Sequence, residues 1–434
     1  MSLPRYEHYR ESGELWLGDI PAGWAATQLR RVANLVTERA ESRSRQLALE
    51  NIEPWTGRLI ETGGTFDGDG VAFKAGDVLY GKLRPYLAKT HAAKFSGEAV
   101  GDFHIIRPRS ELDAGFLTYA LLTREVVSIL DGSTIGAKMP RVAWDMLAGL
   151  PLALPGQEEQ AAIAAFLDRE TAKIDALVEA QRRLIELLKE KRQAVISHAV
   201  TMGLDPSAPM KVSGLEWPTL VPAHWEVLPL TRVVRQFVDY RGATPTKIDD
   251  GVPLITATQI KEGKIDHSLD PVFISEAEYA TRMTRGLPAQ GAMLLTTEAP
   301  LGEVAQIDDD RVAPGQRMIL MKVERHKLTN DFLFEHFRSE FGQNELWTRA
   351  SGSTASGIRS DRLRAGNVLV PPLAEQIGIV DHIRAKITGF MQLQGEAQAV
   401  ITLLQERRSA LISAAVTGKI DVRGLVSADV SEAA

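Results

Sequence analysis

Two long stretches of the chain carry apolar residues at alternating steps of four and three. That spacing is typical of a helix that packs along one seam against a partner helix. The first stretch, Gln157 to Ala199, contains neither glycine nor proline and would extend about 65 Å as one helix at ~1.5 Å per residue. Its predicted seam residues are Ile163, Leu167, Ile174, Leu177, Leu184, Leu188 and Val195.

The second stretch keeps the same register as the first. Its predicted seam residues are Ile379, Ile383, Phe390, Leu393, Val400, Leu404 and Leu411. Polar residues interrupt the two seams at Glu170, Lys191, Lys386 and Arg407, and such interruptions restrict the register that a helix pair adopts. In an antiparallel pair, Glu170 would lie near Arg407. Because one chain supplies both helices, we predict an intramolecular antiparallel coiled coil.

The two helices are parts of a longer internal repeat. A segment with Ser12-Gly13, Ile20-Pro21 and Trp24 recurs as Ser213-Gly214, Val221-Pro222 and Trp225, at a constant offset of 201 residues. A second block, which includes Glu159-Gln160 and ends at Thr201, recurs with Glu375-Gln376 and ends at Thr417, at an offset of 216. The ends of the repeat are therefore kept, while its middles differ in length.

The repeat divides the chain into segments. They are a first globular domain (1–153), a first long helix (154–203), a second globular domain (204–369), a second long helix (370–420) and a polar C-terminal tail (421–434). The variable middles, 25–153 and 226–369, mix short β-rich runs with short helical stretches. The predicted fold class is therefore α+β, with two globular domains in tandem repeat separated by two long helices that form an antiparallel coiled coil.

Composition narrows the class of protein. The chain has no cysteine, which excludes disulfides and thiolate metal sites. Its first residues lack an apolar segment of signal-peptide length, and no stretch approaches the roughly 18 apolar residues of a membrane span. We therefore expect a cytoplasmic protein without a membrane partner.

Basic residues are concentrated in a few loops. The formal net charge of −6 does not itself favour nucleic acids, because DNA binders neutralise phosphates with Lys and Arg. Loops that combine small polar residues with cations can nevertheless approach phosphates and base edges. The candidate DNA contacts in the first middle are Lys82, Arg84, Tyr86, Lys89, Lys94, Ser133, Thr134, Lys138 and Arg141. Those in the second are Thr296, Arg349, Ser353, Thr354, Ser356, Arg359, Arg362 and Arg364. The alternative for any single residue is ordinary solvated surface.

The sequence offers no catalytic constellation. It contains no Gly-x-Ser-x-Gly, His-Glu-x-x-His, Gly-x-Gly-x-x-Gly or Asn-Pro-Pro motif. Gly76 to Lys82 fits the first seven places of a phosphate-binding loop, but Leu83 stands where a Ser or Thr must bind magnesium. The nine histidines are scattered without metal-ligand spacing. We therefore predict no catalytic residue and no metal site, and a protein that is not an enzyme.

Several stretches resemble the specificity (S) subunit of type I restriction-modification enzymes. They are Ser12 to Trp24, Gly76 to Tyr86, Glu298 to Val304, Pro371 to Gln376 and, most diagnostic, Glu406 to Ile420. These stretches are spread from one end of the chain to the other, and the resemblance covers nearly the whole chain. The resemblance implies that residues 1–153 and 204–369 are target-recognition domains, each reading one half of a bipartite, non-palindromic sequence in double-stranded DNA.

The resemblance also implies protein partners. Two methylation subunits would dock on the long helices and carry S-adenosylmethionine, and restriction subunits would bring ATP, magnesium and DNA cleavage. No cofactor is expected on this chain itself. The alternative that the repeat leaves open is a non-catalytic coiled-coil scaffold that binds only proteins.

Overall fold

The computed structural model describes residues 3–40, 45–60, 70–134, 138–242, 244–351 and 357–425. The chain forms two compact units, which we call unit 1 (Met1–Arg182 with Gln398–Ala434) and unit 2 (Arg183–Ala397). Each unit takes one of the variable middles and one half of each long helix. Within the ranges described, we find no helix with the length and apolarity needed to cross a membrane.

Unit 1 joins short strands and helices to the long helices. Its described strands are β1 (Tyr9–Glu11), β2 (Asp19–Pro21), β3 (Ala25–Gln28), β4 (Ala33–Val36), β5 (Gln46–Leu47), β6 (Gly70–Phe73), β7 (Val78–Gly81), β8 (Thr90–Ala92), β9 (Gly97–Val100), β10 (Phe103–Pro108) and β11 (Pro151–Leu154). Its helices are α1 (Leu29–Val32), α2 (Ala114–Leu121), α3 (Arg124–Gly132), α4 (Trp144–Ala148) and the first part of the long helix α5 (Gln157–Met202).

Unit 2 has a similar series of elements. Its described strands are β12 (Met210–Val212), β13 (Leu220–Pro222), β14 (Glu226–Pro229), β15 (Val234–Asp239), β16 (Val252–Ile255), β17 (Ile260–Lys261), β18 (Lys264–Ile265), β19 (Phe273–Ile274), β20 (Met293–Thr297), β21 (Leu301–Gln306), β22 (Ala313–Pro314), β23 (Met318–Val323) and β24 (Asn367–Val370). Its helices are α6 (Glu276–Met283), α7 (Asn330–Arg338), α8 (Glu340–Trp347), α9 (Ser360–Arg364) and the first part of the long helix α10 (Leu373–Val416).

The main sheets of the two units have the same strand order. It is β4-β10-β7-β8 in unit 1 and β15-β23-β20-β21 in unit 2, antiparallel throughout. The central strands β7 and β20 are buried along their whole length, including the two threonines of β20. Beyond them, Arg84 and Ala299 both adopt a positive φ, of 53° and 45°. The repeat therefore continues through the middles, where β7, Arg84 and β10 correspond to β20, Ala299 and β23 at an offset of 215 residues.

Each unit packs its own domain against the two long helices. In unit 1, Phe116 of α2, Ile163 of α5 and Ile412 of α10 share one buried cluster. In unit 2, Ile196 of α5 and Ile379 of α10 join the cluster around α7. Within each unit, early residues of one long helix therefore pack against late residues of the other, so the helices run antiparallel. The predicted α+β class is confirmed.

The seam of the long helices differs from the predicted one near its centre. Ile163, Leu167, Ile174, Leu188, Ile379 and Ile383 are buried, and Val195, Phe390, Leu404 and Leu411 are half-buried. Leu177, Leu184, Leu393 and Val400 are at least 40% exposed, so the prediction is wrong for these four. Val178 and Ile401, each one residue after a predicted seam position, are buried in place of Leu177 and Val400, whereas Ala397 is buried in the predicted register. The register returns at Leu188 further along α5, so the difference is local to the centre of the helices.

The ion pair between the long helices also differs from the predicted one. Glu170 contacts Arg169 and Lys173 on its own helix, at 3.1 and 3.0 Å. It is Arg408 that reaches across from α10, with its Nε 3.0 Å from Oδ1 of Asp175. Arg408 is buried, whereas Arg407 faces solvent, the same one-residue shift as at Val178 and Ile401.

The kept ends of the repeat join each domain to the start of a long helix. Trp24 Nε1 donates to Glu159 Oε2 at 3.2 Å, and Trp225 Nε1 donates to Glu375 Oε1 at 3.1 Å. The next residue along each helix, Gln160 or Gln376, is fully buried. Each of these amides donates twice to backbone carbonyls and accepts one backbone N–H. Because buried polar groups need such partners, these contacts account for the fixed spacing of the motifs.

The described part of the C-terminal segment packs on unit 1. Val422 is fully buried in the core of unit 1, and the backbone N–H of Asp421 donates to the carbonyl of Pro4 at 2.9 Å. The prediction of a polar tail is therefore wrong for residues 421–425, and residues 426–434 lie outside the described ranges.

Candidate nucleic-acid interface

In unit 1, the loop that follows β7 runs beside the segment that precedes α4. The N–H of Arg84 donates to the carbonyl of Pro140, and the N–H of Val142 donates to the carbonyl of Lys82, both at 2.9 Å. This pairing brings Lys82, Arg84 and Arg141 together, although they are far apart in sequence. Exposed side chains next to the same loops, Tyr86 and Lys138, extend the surface.

One carboxylate lies among these cations. Asp102 is 3.8 Å from the Nζ of Lys82 and 3.0 Å from Nη2 of Arg141. It fixes the two side chains and partly neutralises them. Such a group of oriented cations on exposed loops suits the binding of phosphates.

Other candidates in unit 1 are engaged locally. Lys89 is half-buried and its Nζ donates to the carbonyl of Leu49 at 2.7 Å, and burial lowers the pKa of Lys89. Lys89 therefore holds a turn in place rather than facing DNA. The hydroxyls of Ser133 and Thr134 donate at 2.8 Å to carbonyls one turn back at the end of α3. Lys94 is exposed.

In unit 2, the loop that follows β20 pairs with the segment that precedes α9. Glu298 forms a β-bridge with Gly357, and the N–H of Ile358 donates to the carbonyl of Thr297 at 2.9 Å. Among the candidate arginines, Arg349 precedes Gly357 in the chain, and Arg359, Arg362 and Arg364 follow it. Arg359 lies 3.4 Å from Asp361, and Arg364 stacks over the ring of Phe237 at 4.9 Å.

The remaining candidates in unit 2 fall into three groups. Arg349 is paired with Glu345 at 3.1 Å, and its carbonyl accepts a bond from Arg362 at 3.4 Å. Thr296 is fully buried, and its hydroxyl bonds to the backbone of Glu303 on β21, so the prediction that it contacts DNA is wrong. β20 lies between β21 and β23, and all five of its residues are buried. Ser353, Thr354 and Ser356 lie outside the described residues.

Each unit has an open cleft beside its basic loop. Cleft 1, of about 480 Å³, lies between residues 48–50, the loop residues 83–84 and residues 100–102. Cleft 2, of about 220 Å³, lies between residues 256–258, the loop residue Ala299 and residues 315–317. Glu50, Asp102, Thr258, Gln316 and Arg317 line these clefts. These residues were not among the candidates predicted from the sequence, because the segments that meet at each cleft lie far apart in the chain and correspond at two different offsets, 208 for Glu50 and Thr258 and 215 for Asp102 and Arg317.

Comparison with known proteins gives one consistent answer. No family model matches the chain. The specificity subunit of the MjaVIII type I restriction enzyme of Methanocaldococcus jannaschii is 23% identical over 325 residues, 72% of either chain. That of EcoDI from Escherichia coli is 25% identical over 192 residues, 42% of this chain and 43% of the relative. That of EcoKI from Escherichia coli K12 is 21% identical over 329 residues, 73% of this chain and 68% of the relative.

Solved structures agree on the fold. A chain from a study of complex assembly and conformational transition in a type I R-M system superposes with a TM-score of 0.66, at 18% identity, over 92% of this chain and 98% of that one. The HsdS subunit of Thermoanaerobacter tengcongensis superposes with a TM-score of 0.52, at 17% identity, over the same shares.

The chain is a homologue of type I specificity subunits. The similarity extends over both repeated units, which agrees with the sequence motifs that first indicated this family.

Proposed function

We propose that this chain is the DNA-recognition subunit of a type I restriction-modification complex. Each recognition domain reads one half of a bipartite, non-palindromic target in double-stranded DNA. The long helices dock two methylation subunits, and restriction subunits join the same complex. The chain itself performs no catalysis.

The observation that carries the proposal is the contrast between the frameworks and the loops of the two units. Both units share the order of the main sheet and the Trp–Glu and Gln contacts at the helix junction. Their basic loops, in contrast, carry different side chains, with Arg84 in unit 1 and Ala299 in unit 2 at one position. A shared framework with unlike loops suits two domains that bind one kind of polymer but read different sequences.

Exposed apolar residues on the long helices support the docking of protein partners. Leu177, Leu187, Ile377 and Leu403 are 53%, 39%, 55% and 63% exposed. Exposed apolar side chains of this kind are available for protein–protein contacts in each unit. We assign these parts of the long helices to the methylation subunits, which would carry S-adenosylmethionine, while ATP and magnesium would belong to the restriction subunits.

The proposal is tested by selection of DNA targets. The full chain, purified with a type I methylation subunit that binds it, is incubated with a random duplex library, and the retained duplexes are sequenced. We expect enrichment of one motif with two unlike halves and a fixed spacer. Retention of duplexes without any enriched motif would overturn sequence recognition, and a complex that forms but retains no DNA would favour the protein-only scaffold.

A domain exchange tests which part reads which half. Residues 25–153 are replaced by the equivalent segment of another specificity subunit, and the selection is repeated. We expect one half of the enriched motif to change and the other half to persist. A change in both halves contradicts the assignment of one half-site to each unit.

A further inference from the structure

The two clefts occupy equivalent positions in their units and are built on the same backbone framework. A turn follows β5 in unit 1 and β16 in unit 2, and a side-chain amide closes each turn. Asn51 Oδ1 accepts from the N–H of Ala48 at 2.7 Å, and Gln259 Oε1 accepts from the N–H of Thr256 at 2.8 Å. The second wall of each cleft is the loop after β7 or β20, and the third is the segment that precedes β10 or β23.

The side chains on this common framework differ in hydrogen-bonding character. The corresponding pairs are Glu50 with Thr258, Arg84 with Ala299, Gly101 with Gln316, and Asp102 with Arg317. An ionised carboxylate only accepts hydrogen bonds and a guanidinium only donates them, whereas a hydroxyl or an amide does both. At one of these positions the charge is therefore reversed between the units, and at two others a charged group is replaced by an uncharged one.

The positions that differ most are accessible. Glu50, Arg84, Thr258 and Arg317 are all exposed to solvent. Cations lie beside both clefts, with Arg141 near cleft 1 and Lys247 on the wall of cleft 2. A duplex held by such cations would present its base edges to the side chains at the rim of the cleft.

We propose that the linings of the two clefts determine which bases each unit prefers, with Glu50 and Arg84 acting in unit 1, and Thr258 and Arg317 in unit 2. This inference rests on the proposed function and deepens it. Arginine pairs with the O6 and N7 of guanine, and a carboxylate accepts from the N4 of cytosine, so cleft 1 favours a G·C pair. Arg317 likewise favours guanine in unit 2, and the hydroxyl of Thr258 can form a hydrogen bond with more than one base.

An exchange of lining residues between the units tests the inference. The first variant, Glu50→Thr with Arg84→Ala, gives cleft 1 the residues of cleft 2. The second, Thr258→Glu with Arg317→Asp, gives cleft 2 the residues of cleft 1 at the two positions assigned to unit 2. Each is purified as the full chain with its methylation subunit and selected on the random duplex library. We expect each variant to change the preference at one or two positions of a single half-site by about tenfold or more, the value of one good base contact.

Matched controls separate this effect from a change in charge or in folding. Glu11→Thr and Arg31→Ala make the same replacements at exposed positions of unit 1 that line no part of cleft 1, and the enriched motif should persist in both. Glu50→Gln and Arg84→Lys keep the size of the side chains but remove the acceptor charge or the planar fork. Circular dichroism shows whether each variant melts like the wild type.

The outcomes distinguish this inference from the proposed function. If the wild type enriches a split motif and all the folded cleft variants enrich the same one, the cleft inference is wrong and the proposed function stands. If the wild type enriches no motif, the proposed function fails, and the inference fails with it. A changed half-site in the cleft variants, with an unchanged motif in the controls, supports both.

Discussion

The indole Nε1 of Trp24 donates a hydrogen bond to Oε2 of Glu159 at 3.2 Å. Trp24 lies just before β3 and Glu159 lies in the first turn of α5, so this bond fixes the domain on its helix. Tyr6 adds a second bond to the same carboxylate at 2.7 Å. In unit 2, His224 Nε2 takes the corresponding place, 2.7 Å from Glu375.

Replacing Trp24 with phenylalanine should loosen unit 1. The change removes a hydrogen bond to a charged acceptor and part of a buried ring, and we expect a loss of about 2–4 kcal/mol in the free energy of unfolding of that unit. Hydrogen exchange read by mass spectrometry should show lower protection in β1–β4 and little change in unit 2. Trp347→Phe, at a position 51% exposed, is the control. Equal losses of protection in the two variants would contradict the role given to Trp24.

Replacing Arg408 with methionine should disrupt the contact between the helices of unit 1. Arg408 donates to Asp175 at 3.0 Å and to the carbonyl of Trp55 at 2.8 Å, and its side chain is only 10% exposed. The change leaves a largely buried carboxylate without its partner, and we expect a loss of about 3–5 kcal/mol in unfolding free energy. The double variant Asp175→Leu with Arg408→Met should recover much of that loss, as measured in a double-mutant cycle.

The neighbouring Arg407 provides the control for this experiment. It is exposed on the same turn of α10, and Arg407→Met should change stability by no more than about 0.5 kcal/mol. A large effect of Arg407→Met, or coupling of Arg407 to Glu170, would restore the pair predicted from the seam pattern.

The stability of unit 2 should depend on pH through His336. This residue of α7 is fully buried, with the rings of Phe337 and Phe341 edge-on at 5.1 and 5.2 Å, and burial lowers the pKa of its imidazole to about 3. In the unfolded chain a histidine has a pKa of about 6.5. Between pH 3 and pH 6.5, the unfolded state therefore binds a proton that the folded state does not. Stability is therefore present above pH 6.5 and is lost as the pH falls toward 3.

The variant His336→Phe isolates this contribution. From pH 7 to pH 5 we expect the wild type to lose about 2 kcal/mol more unfolding free energy than the variant does. Urea denaturation of both proteins at the two pH values measures the difference. His382→Phe, at an exposed position of α10, should keep the pH dependence of the wild type. Parallel pH profiles for His336→Phe and the wild type would contradict a buried neutral imidazole.

Removing the charge of Lys138 should weaken DNA binding without altering sequence preference. Lys138 is exposed beside the loop of Arg84 and Arg141, where a cation would meet phosphates. For Lys138→Gln we expect a uniform loss of affinity and a decrease of about one in the slope of log K against log salt. Fluorescence anisotropy at several salt concentrations measures both. Lys173→Gln, on α5 and paired with Glu170 at 3.0 Å, should leave the slope unchanged.

The sequence by itself determined the long helices and the motifs that join them to the domains. A run from Gln157 to Ala199 without glycine or proline is helical on local grounds alone. The Trp24 and Glu159 motifs recur at fixed offsets because each pair makes one contact that tolerates little change in spacing. These features depend on residues near one another in sequence, or on a pattern that is present twice, and either kind of signal can be found in a single chain.

The tertiary structure decided the positions that depend on a neighbour distant in the chain. Near the centre of α5, Leu177 is exposed and Val178 is buried, a choice of helix face that the local apolar pattern does not determine. Thr296 faces the core because β20 lies between two strands. The Nζ of Lys89 donates to the carbonyl of Leu49, 40 residues earlier in the chain. Glu50, Arg84 and Asp102 meet at one cleft only through strand pairing. The register of strands and the accumulated twist of helices are set by packing over the whole fold, so local sequence patterns do not contain them.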